Sequence, residues 1–303
     1  MTSRQPIAVL GATGNQGGQV APALLEAGWP VRAITRHPES PRAKALATLG
    51  AQLIEADMGD VDTLIRAFDG ACGIFSVQNF WELGVREEVR LGTNVIAAAT
   101  AIGTPHVVYR SGLGAEQIQG VAAIDGKAMI EQRLRQSGLP FTILRPALFM
   151  DDCRGASLPF ARPIQRMLRH HRPLVGRLFL ATLRDTIPSD RLIPVTTLQD
   201  VGRMAAWAFD DPDVTQGHAY GIVGSTETGE TLCHRWHTCT GTRIPDEPGL
   251  RLGILLFHRK MAPLLDWLGQ HETAVTNRPL ALQTYAEWLL CHHVTTQCDG
   301  RHH

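Results

Sequence analysis

The chain has 303 residues, 44% of them hydrophobic, which is enough for one large domain or two smaller ones with a sizeable buried core. Its 29 basic and 29 acidic residues cancel, so the net charge gives no electrostatic reason to expect a nucleic acid or an anionic membrane as a partner. Six cysteines without a framework spacing favour a cytoplasmic protein with reduced thiols, and no apolar stretch approaches the ~20 residues of a transmembrane helix.

Short apolar runs alternate with helical patterns through the first half of the chain. The runs predict strands at residues 7–10, 31–35, 52–56, 73–77, 106–109 and 141–144, and the helical patterns predict helices at 15–27, 42–49, 61–68, 83–101 and 123–136. Uninterrupted apolar strands are typical of a parallel sheet that is covered on both faces. The alternation therefore predicts an α/β fold, a doubly wound parallel sheet of the Rossmann type with right-handed crossovers.

The alternation stops after Pro146. We therefore predict a Rossmann domain at residues 1–150 and a smaller, mostly helical substrate-binding lobe at 151–303, with 192–224 returning to the sheet. The Arg- and His-rich stretch 162–177 is either a solvated face or the edge of a pocket that attracts an acidic substrate. Cys233 and His237 share a helix face, but we interpret 229–241 as an amphipathic helix with a glycine C-cap and expect no metal site.

A glycine-rich turn lies between the first predicted strand and the first predicted helix. Strand, glycine turn and helix in this order are the context in which a dinucleotide pyrophosphate binds at a helix N-terminus, although an ordinary turn would also use glycines. Gly11 allows a sharp turn, Gly14 lets the backbone approach a phosphate, and Gly17 lets the helix pack closely against the strand. The predicted pyrophosphate site comprises Gly11, Ala12, Thr13, Gly14, Asn15, Gln16 and Gly17.

The residue after the second strand indicates which dinucleotide binds. NAD-selective folds place an acidic residue there for the ribose 2′-hydroxyl, whereas an arginine suits a 2′-phosphate. Here the strand runs into Thr35, Arg36 and His37, and a guanidinium forms charge-assisted hydrogen bonds with a phosphate. Arg36 therefore predicts NADP(H) as the cofactor, with a solvated surface arginine as the alternative.

Several segments occur in an order that resembles the NmrA-like group of atypical short-chain dehydrogenases/reductases. They are the turn at 11–18 and residues 31–36, 56–58, 77–82, 107–112, 125–127 and 144–146, and the Asn-Phe-Trp-Glu sequence at 79–82 is the most specific marker. The resemblance covers the first half of the chain well and the rest loosely. It implies either an NADPH-dependent reductase of quinones, dyes or isoflavonoid-like compounds, or a protein that binds NADP(H) as a redox sensor.

The resemblance also implies the rest of the cofactor site. Asp57 and Met58 would flank the adenine, and Lys127 would hold the nicotinamide ribose unless it is a solvated helix lysine. Phe80 and Trp81 are equally well explained as core residues. Gln78, Asn79 and Phe80 would line the nicotinamide-ribose side, and residues 148–151, beginning with Leu148, its far wall. Pro146 is a further expected cofactor-binding residue.

The candidate catalytic residues depart from the pattern of the wider superfamily. Its usual acid is a tyrosine four residues before the lysine, on the same helix face, but Ala123 stands at that distance from Lys127. Tyr109 ends the fifth strand, and we expect it to shape the pocket rather than to donate the essential proton. Ser111 either hydrogen-bonds a substrate or forms a turn. The candidate catalytic residues are therefore Lys127, Tyr109 and Ser111.

The missing tyrosine favours acceptors that need little help from an acid, such as a quinone, an enone or an iminium. The leading hypothesis is an NADPH-dependent reductase of a small conjugated or aromatic molecule. The alternatives are an NADP(H)-binding redox sensor without catalysis and a non-redox enzyme on the same fold. The expected partners are a small-molecule substrate and either a second copy of the chain or a regulatory protein.

Overall fold

The computed structural model describes residues 4–103, 105–154, 172–244, 263–268 and 280–298 of the chain. The chain divides into two compact units. The first contains residues 1–146 and 198–222, and the second contains residues 147–197 and 223–303. The Arg- and His-rich stretch 162–177, for which sequence analysis offered two interpretations, lies mostly outside the described residues.

Seven parallel strands form the sheet of the first unit. They are β1 (Ile7–Val9), β2 (Val31–Thr35), β3 (Gln52–Glu55), β4 (Gly73–Ser76), β5 (His106–Arg110), β6 (Phe141–Pro146) and β9 (Ala219–Ile222). Their order across the sheet is β3-β2-β1-β4-β5-β6-β9. The strand order therefore reverses between β1 and β4, and open sheets of this kind bind ligands beyond the carboxyl ends of the strands at that point. This sheet confirms the predicted doubly wound α/β fold.

Helices connect these strands, and local signals in the sequence explain where several of them begin. The helices are α1 (Gly17–Glu26), α2 (Pro41–Thr48), α3 (Val61–Phe68), α4 (Phe80–Leu83), α5 (Val85–Ala101), α6 (Ala122–Gln136), α8 (Leu198–Asp210) and α9 (Pro212–Thr215). Ser40 caps α2 by accepting from the Ala43 N–H, with Pro41 at the first helical position. Asp60 caps α3 in the same way.

The core of the first unit lies on both faces of the sheet. Ile7, Ala8 and Val9 of β1 are fully buried, as are Ile74 and Phe75 of β4. Strands that are buried on both faces lose the alternation of polar and apolar residues, which is why these runs are apolar throughout. The rigid sheet holds the ends of β1, β2, β4 and β5, from which the candidate site residues project.

The helix α8 returns to the first unit after a long excursion of the chain and packs against α1. A β-carbon at Gly202 of α8 would lie 2.5 Å from the carbonyl oxygen of Gln19 in α1 and 3.2 Å from the β-carbon of Ala23. Only a glycine permits the two helices to approach this closely. The glycine at position 202 therefore determines how closely α8 can pack against α1.

In its described parts, the second unit has a small sheet and three helices of twelve or more residues. The strands are β7 (Leu148–Phe149), β8 (Ile193–Thr196) and β10 (Ser225–Glu227), and the helices are α7 (Arg172–Thr186), α10 (Gly229–Thr240) and α11 (Tyr285–Cys298). The sheet order is β10-β8-β7. Of the predicted returning segment 192–224, Ala219–Ile222 joins the large sheet, whereas Ile193–Thr196 pairs within this small one. The predicted helix at 229–241 is confirmed, with Gly241 in a left-handed conformation at its C-cap.

Among the residues described, none of the helices combines the length and the hydropathy needed to cross a bilayer.

Candidate functional site

The turn between β1 and α1 depends on three glycines. Gly11 has a φ of +62°, a left-handed conformation that residues with side chains rarely adopt. A β-carbon at Gly14 would lie 3.0 Å from the carbonyl oxygen of Gly11, and one at Gly17 would clash with the same oxygen. The chain therefore passes close over itself, and larger residues at these positions would push the turn away from the helix.

The N-terminus of α1 suits an anion. Its first turn contains no acidic residue, and no side chain caps it. Backbone N–H groups and the helix dipole at such an end favour a phosphate. The Gln16 side-chain oxygen is buried without a hydrogen-bond partner in the described part of the chain, and a ligand commonly satisfies such a group. Of the other predicted residues here, Ala12 is buried, whereas Thr13 and Asn15 are half-buried. These residues fit a dinucleotide pyrophosphate.

Arg36 directly follows β2 and is exposed. A second guanidinium approaches the glycine turn from α2, since Arg42 Nη1 donates to the Thr13 carbonyl oxygen at 3.1 Å. Sequence analysis missed Arg42. An arginine in the first turn of the helix that follows the second strand is the sequence signal that would have made Arg42 a candidate site residue. The structure thus brings one arginine to the turn and leaves Arg36 open to solvent at the strand end.

The loops that follow β3 and β4 meet at Met58 and Gln78. The side-chain amide of Gln78 donates to Ser76 Oγ at 2.9 Å and lies 3.9 Å from the Met58 sulfur. Asn94 of α5 donates to the Met58 carbonyl oxygen at 2.9 Å and fixes that loop. Gln78 is buried, and its side-chain oxygen has no partner among the described residues. Two residues predicted for opposite ends of the cofactor therefore touch each other.

Asp57 and Asn79 use their side-chain oxygens within their own loops. Asp57 Oδ1 accepts from the Gly59 N–H at 2.7 Å, and Asn79 Oδ1 accepts from the Trp81 N–H at 3.1 Å and so caps α4. Phe80 is buried and meets the Trp81 ring edge-on, with the ring centroids 5.1 Å apart. The short helix α4 thus begins at a side-chain cap and contains an aromatic contact between its first two residues.

Lys127 is buried, and the alternative of a solvated helix lysine is wrong. Its ammonium forms an ion pair with Glu88 of α5, whose side chain is fully buried. The pKa of Lys127 is lowered to about 8, because burial and the nearby Arg110 lower it by more than Glu88 raises it. Sequence analysis missed Glu88. A helical stripe of buried residues, Glu88, Leu91, Gly92, Val95 and Ala99, is the signal that places it on the inner face of α5.

Ser111 belongs to a second buried network. Its hydroxyl donates to Glu131 Oε1 at 2.5 Å. Arg145 holds the same carboxylate through Nε at 3.0 Å and Nη2 at 2.6 Å, and it also pairs with Glu116. A bidentate arginine fixes both the position and the charge of a carboxylate. The hydroxyl hydrogen of Ser111 is therefore already donated inside the protein, which leaves only its lone pairs for a substrate.

Tyr109 lies in the hydrophobic core, with 1% of its surface exposed. Its hydroxyl finds no hydrogen-bond partner in the described structure. Burial raises the pKa of Tyr109 well above its usual range, and the negative charge of Glu88 raises it further. Ala123, on α6, is buried as well. The hydroxyl of Tyr109 thus stays protonated and enclosed.

The last two predicted cofactor residues fall in different units. Pro146 ends β6, and its carbonyl oxygen accepts from the Leu113 N–H at 3.1 Å. Leu148 is half-buried in β7 of the second unit.

Cys233 and His237, which share a helix face, both lie in α10. Cys233 is buried and its Sγ lies 3.7 Å from the Leu180 carbonyl oxygen, while the His237 carbonyl accepts from Gly241 at the end of α10. Within the described ranges, no three His, Cys, Asp or Glu side chains come together as metal ligands.

Comparisons with known proteins bear on this geometry. A model of the NmrA-like family matches residues 3–247. A curated relative, the NmrA-like family domain-containing oxidoreductase hkm9 of Aspergillus hancockii, is 36% identical over 260 residues, which cover 80% of this chain and 74% of the relative. Another, FrzB of Cladobotryum sp, is 36% identical over 158 residues, 48% of this chain and 47% of FrzB. The match therefore spans about half the length of FrzB.

Solved structures share the fold. The triphenylmethane reductase of Citrobacter sp., complexed with NADP(H), has a TM-score of 0.72 at 20% identity, and the match covers 94% of this chain and 99% of that one. The negative transcriptional regulator NmrA, in complex with NADP, has a TM-score of 0.71 at 17% identity and covers 99% of this chain and 98% of its own. At these identities the likeness concerns the fold alone.

Proposed function

Because this chain belongs to the NmrA-like family, we propose that it is an NADPH-dependent reductase that transfers hydride to a small conjugated or aromatic acceptor. The observation that carries the proposal is the glycine turn at the N-terminus of α1 with an exposed Arg36 at the end of β2. A phosphate-binding turn and a cation at these two places select a dinucleotide with a 2′-phosphate. Relatives named as oxidoreductases, and a reductase complexed with NADP(H) on the same fold, support the same conclusion.

The residues of the chain have separate tasks in this proposal. When bound, the dinucleotide supplies the hydride. The turn at 11–17 binds the pyrophosphate through backbone N–H groups, and Arg36 binds the 2′-phosphate. Lys127 donates to the hydroxyls of the nicotinamide ribose, and Gln78 and Phe80 line the adjoining wall.

The acceptor class follows from the proton chemistry. A ketone becomes an alkoxide on reduction and needs a positioned acid, but Ala123 has no proton to give and Tyr109 is enclosed. An iminium becomes a neutral amine after hydride addition and needs no proton. A quinone becomes a hydroquinone anion and an enone becomes an enolate after conjugate addition of hydride, and each takes its proton from water. The proposal therefore names quinones, enones and iminium compounds as acceptors.

Cofactor titrations test the proposal. Wild type is expected to bind NADPH more tightly than NADH, and Arg36→Ala to weaken NADPH by ~1.5–3 kcal/mol, the loss of a charge-assisted contact, with little effect on NADH. Arg66→Ala, which removes another exposed arginine on α3, is the matched control. Equal affinities of wild type for the two cofactors would refute the choice of NADPH.

The second candidate is an NADP(H)-binding redox sensor that acts through a protein partner. The observation that favours it is the absence of an accessible tyrosine beside Lys127, and the regulator NmrA binds NADP on the same fold. Cofactor oxidation against a panel of quinones, enones and iminium compounds separates the two functions. Tight NADPH binding without turnover of any acceptor would favour the sensor, or a non-redox enzyme on this fold.

A further inference from the structure

Glu88 is a carboxylate in an unusual place for a helix residue. Its side chain is fully buried, and it lies on the inner face of α5 between turns of apolar residues. A buried carboxylate is strongly destabilising unless a cation and hydrogen bonds compensate for its lost hydration. The compensating group here is the Lys127 ammonium, which binds Glu88 Oε1. A pair of this kind that stabilised only the fold would be replaceable by apolar residues.

We propose that Glu88 is the positioning residue of Lys127, with its buried carboxylate keeping the ammonium charged and in place for the ribose hydroxyls of the dinucleotide. The inference rests on the proposed function, in which Lys127 contacts the ribose. The inference adds Glu88 of α5 to the proposed cofactor site, whereas Lys127 belongs to α6.

The groups around Lys127 explain why it needs this partner. Glu88 approaches from α5, Tyr109 and Arg110 come from β5, and Glu131 lies one turn further along α6. Burial and the positive charge of Arg110 both favour a neutral amine, and the charge of Glu88 opposes them. Without Glu88, Lys127 would lose its proton at a lower pH and become a weaker donor to a hydroxyl.

Gly126 provides the space for the Glu88 carboxylate. A β-carbon at position 126 would lie 2.6 Å from Glu88 Oε2 and 3.5 Å from a methyl group of Val85. The carboxylate is the mobile end of a side chain, so it would move away from an added methyl group. Gly126→Ala therefore disturbs the ion pair without altering either of its charges.

Lysine side-chain NMR on the cofactor-free protein tests the inference. The sequence contains three lysines, Lys44, Lys127 and Lys260, so ε-carbon-labelled lysine gives few signals, and Lys127→Arg assigns the one of interest. We expect the pKa of Lys127 in Glu88→Gln to fall from about 8 to below about 7, the usual effect of removing one close opposite charge. At pH 8 the charged fraction of Lys127 then falls from about one half to about one tenth.

The affinity for NADPH is the second measurement, taken across the same pH range. In wild type it should weaken as the pH rises past the Lys127 titration, and in Glu88→Gln the same weakening should start about one pH unit lower. Glu88→Asp, which keeps the charge, should restore most of the wild-type profile, and Gly126→Ala should resemble Glu88→Gln in direction.

A matched control lies next to Glu88 on the same helix. Glu87 forms an exposed ion pair with Arg90 at 2.6 Å, so Glu87→Gln removes the same charge from the surface and should leave the Lys127 titration unchanged. If Glu88→Gln does not fold, Gly126→Ala and Glu88→Asp carry the test.

The outcomes separate the inference from the proposed function. An unchanged Lys127 titration in Glu88→Gln, or in Gly126→Ala if Glu88→Gln does not fold, would overturn the inference. So would a lowered pKa together with an NADPH pH profile identical to that of wild type. If wild type binds no NADPH, the proposed function fails, whereas the titration still shows whether Glu88 controls the charge of Lys127.

Discussion

The hydroxyl of Tyr109 is a polar group without a partner in an apolar core. It lies beside the Glu88–Lys127 pair, yet in the described structure it hydrogen-bonds to neither. A buried hydroxyl without a hydrogen bond costs about 1–3 kcal/mol. Tyr109 therefore stabilises the fold through the packing of its ring and not through its hydroxyl.

Tyr109→Phe separates these two roles. Removing the unpaired hydroxyl is expected to raise the free energy of unfolding by about 1 kcal/mol, measured in urea. Turnover should change by only a few fold, because the reduction needs no tyrosine acid. A rate loss of ~10²–10⁴-fold with unchanged NADPH affinity, the usual result of deleting a general acid, would instead make Tyr109 a relocated catalytic acid.

Single residues were predictable where one position has one physical requirement. The glycines of the turn answer to a local rule about backbone shape, and the assignment of Arg36 to a 2′-phosphate, which uses a local rule about charge, stays a prediction. Glu88 and Arg145 answer to no such rule, because each matters through a partner about 40 residues away or on another element. A sequence shows that Glu88 lies on an apolar helix stripe, but not that Lys127 meets it there.

At the scale of elements, the pairing of β5 with β6 contains a polar link inside the core. His106 of β5 and Thr142 of β6 approach to 2.8 Å, and the Thr142 hydroxyl donates to the Thr215 carbonyl at 2.9 Å. Since Thr142 uses its hydrogen on Thr215, its oxygen accepts from His106 Nε2–H. A neutral histidine with its proton on Nε2 can make this bond, and burial favours the neutral ring by lowering the pKa of His106 to about 4.

This link predicts a pH dependence of stability. The unfolded chain takes up a proton at His106 near pH 6.5 and the folded protein only near pH 4, so stability is full above pH 6.5 and falls as the pH drops towards 4. The loss is expected to reach ~3 kcal/mol. Urea unfolding at pH 7.5 and pH 5 should show a smaller pH effect in His106→Gln than in wild type. The exposed His37→Gln is the control, and an equal pH effect in all three proteins would contradict the prediction.

Most strands of the large sheet were predictable because they are short apolar runs that alternate with helices of recognisable period. The small sheet was not. Leu148–Phe149 and Ser225–Glu227 are two and three residues long, too short to show any periodicity. Ile193–Thr196 has the composition of a strand of the large sheet, and only its pairing with these short partners, which the sequence does not reveal, places it elsewhere.

At the scale of the molecule, the first unit is discontinuous in sequence. The chain leaves it after Pro146 and re-enters it at Leu198 to supply α8 and β9. The local sequence predicts that α8 is a helix and β9 a strand. The packing of α8 on α1, however, depends on a contact between residues some 180 positions apart in the chain. Sequence analysis predicted that residues 192–224 return to the sheet, whereas the part of the chain that belongs to the first unit is 198–222.

Gly202→Val tests how much this return contributes. The added side chain would press on the backbone of Gln19, which cannot move aside as a side chain can, so the free energy of unfolding should fall by about 1–3 kcal/mol. Gln199→Val, at an exposed position of the same helix, controls for the effect of valine on α8 itself. Equal stabilities of the two variants would show that the close approach of α1 and α8 is not needed.

The discontinuity also sets an order of events on the ribosome. When β6 has been synthesised, the first unit still lacks the strand that completes its sheet, and Ile222 is 76 residues further on. At ~5–20 residues per second, translation needs roughly 4–15 s to deliver it. Throughout that interval the nascent chain exposes the open edge of β6 and the face of α1 that α8 later covers. Such surfaces pair readily with other chains, so the growing polypeptide offers a chaperone a defined target for several seconds of its synthesis.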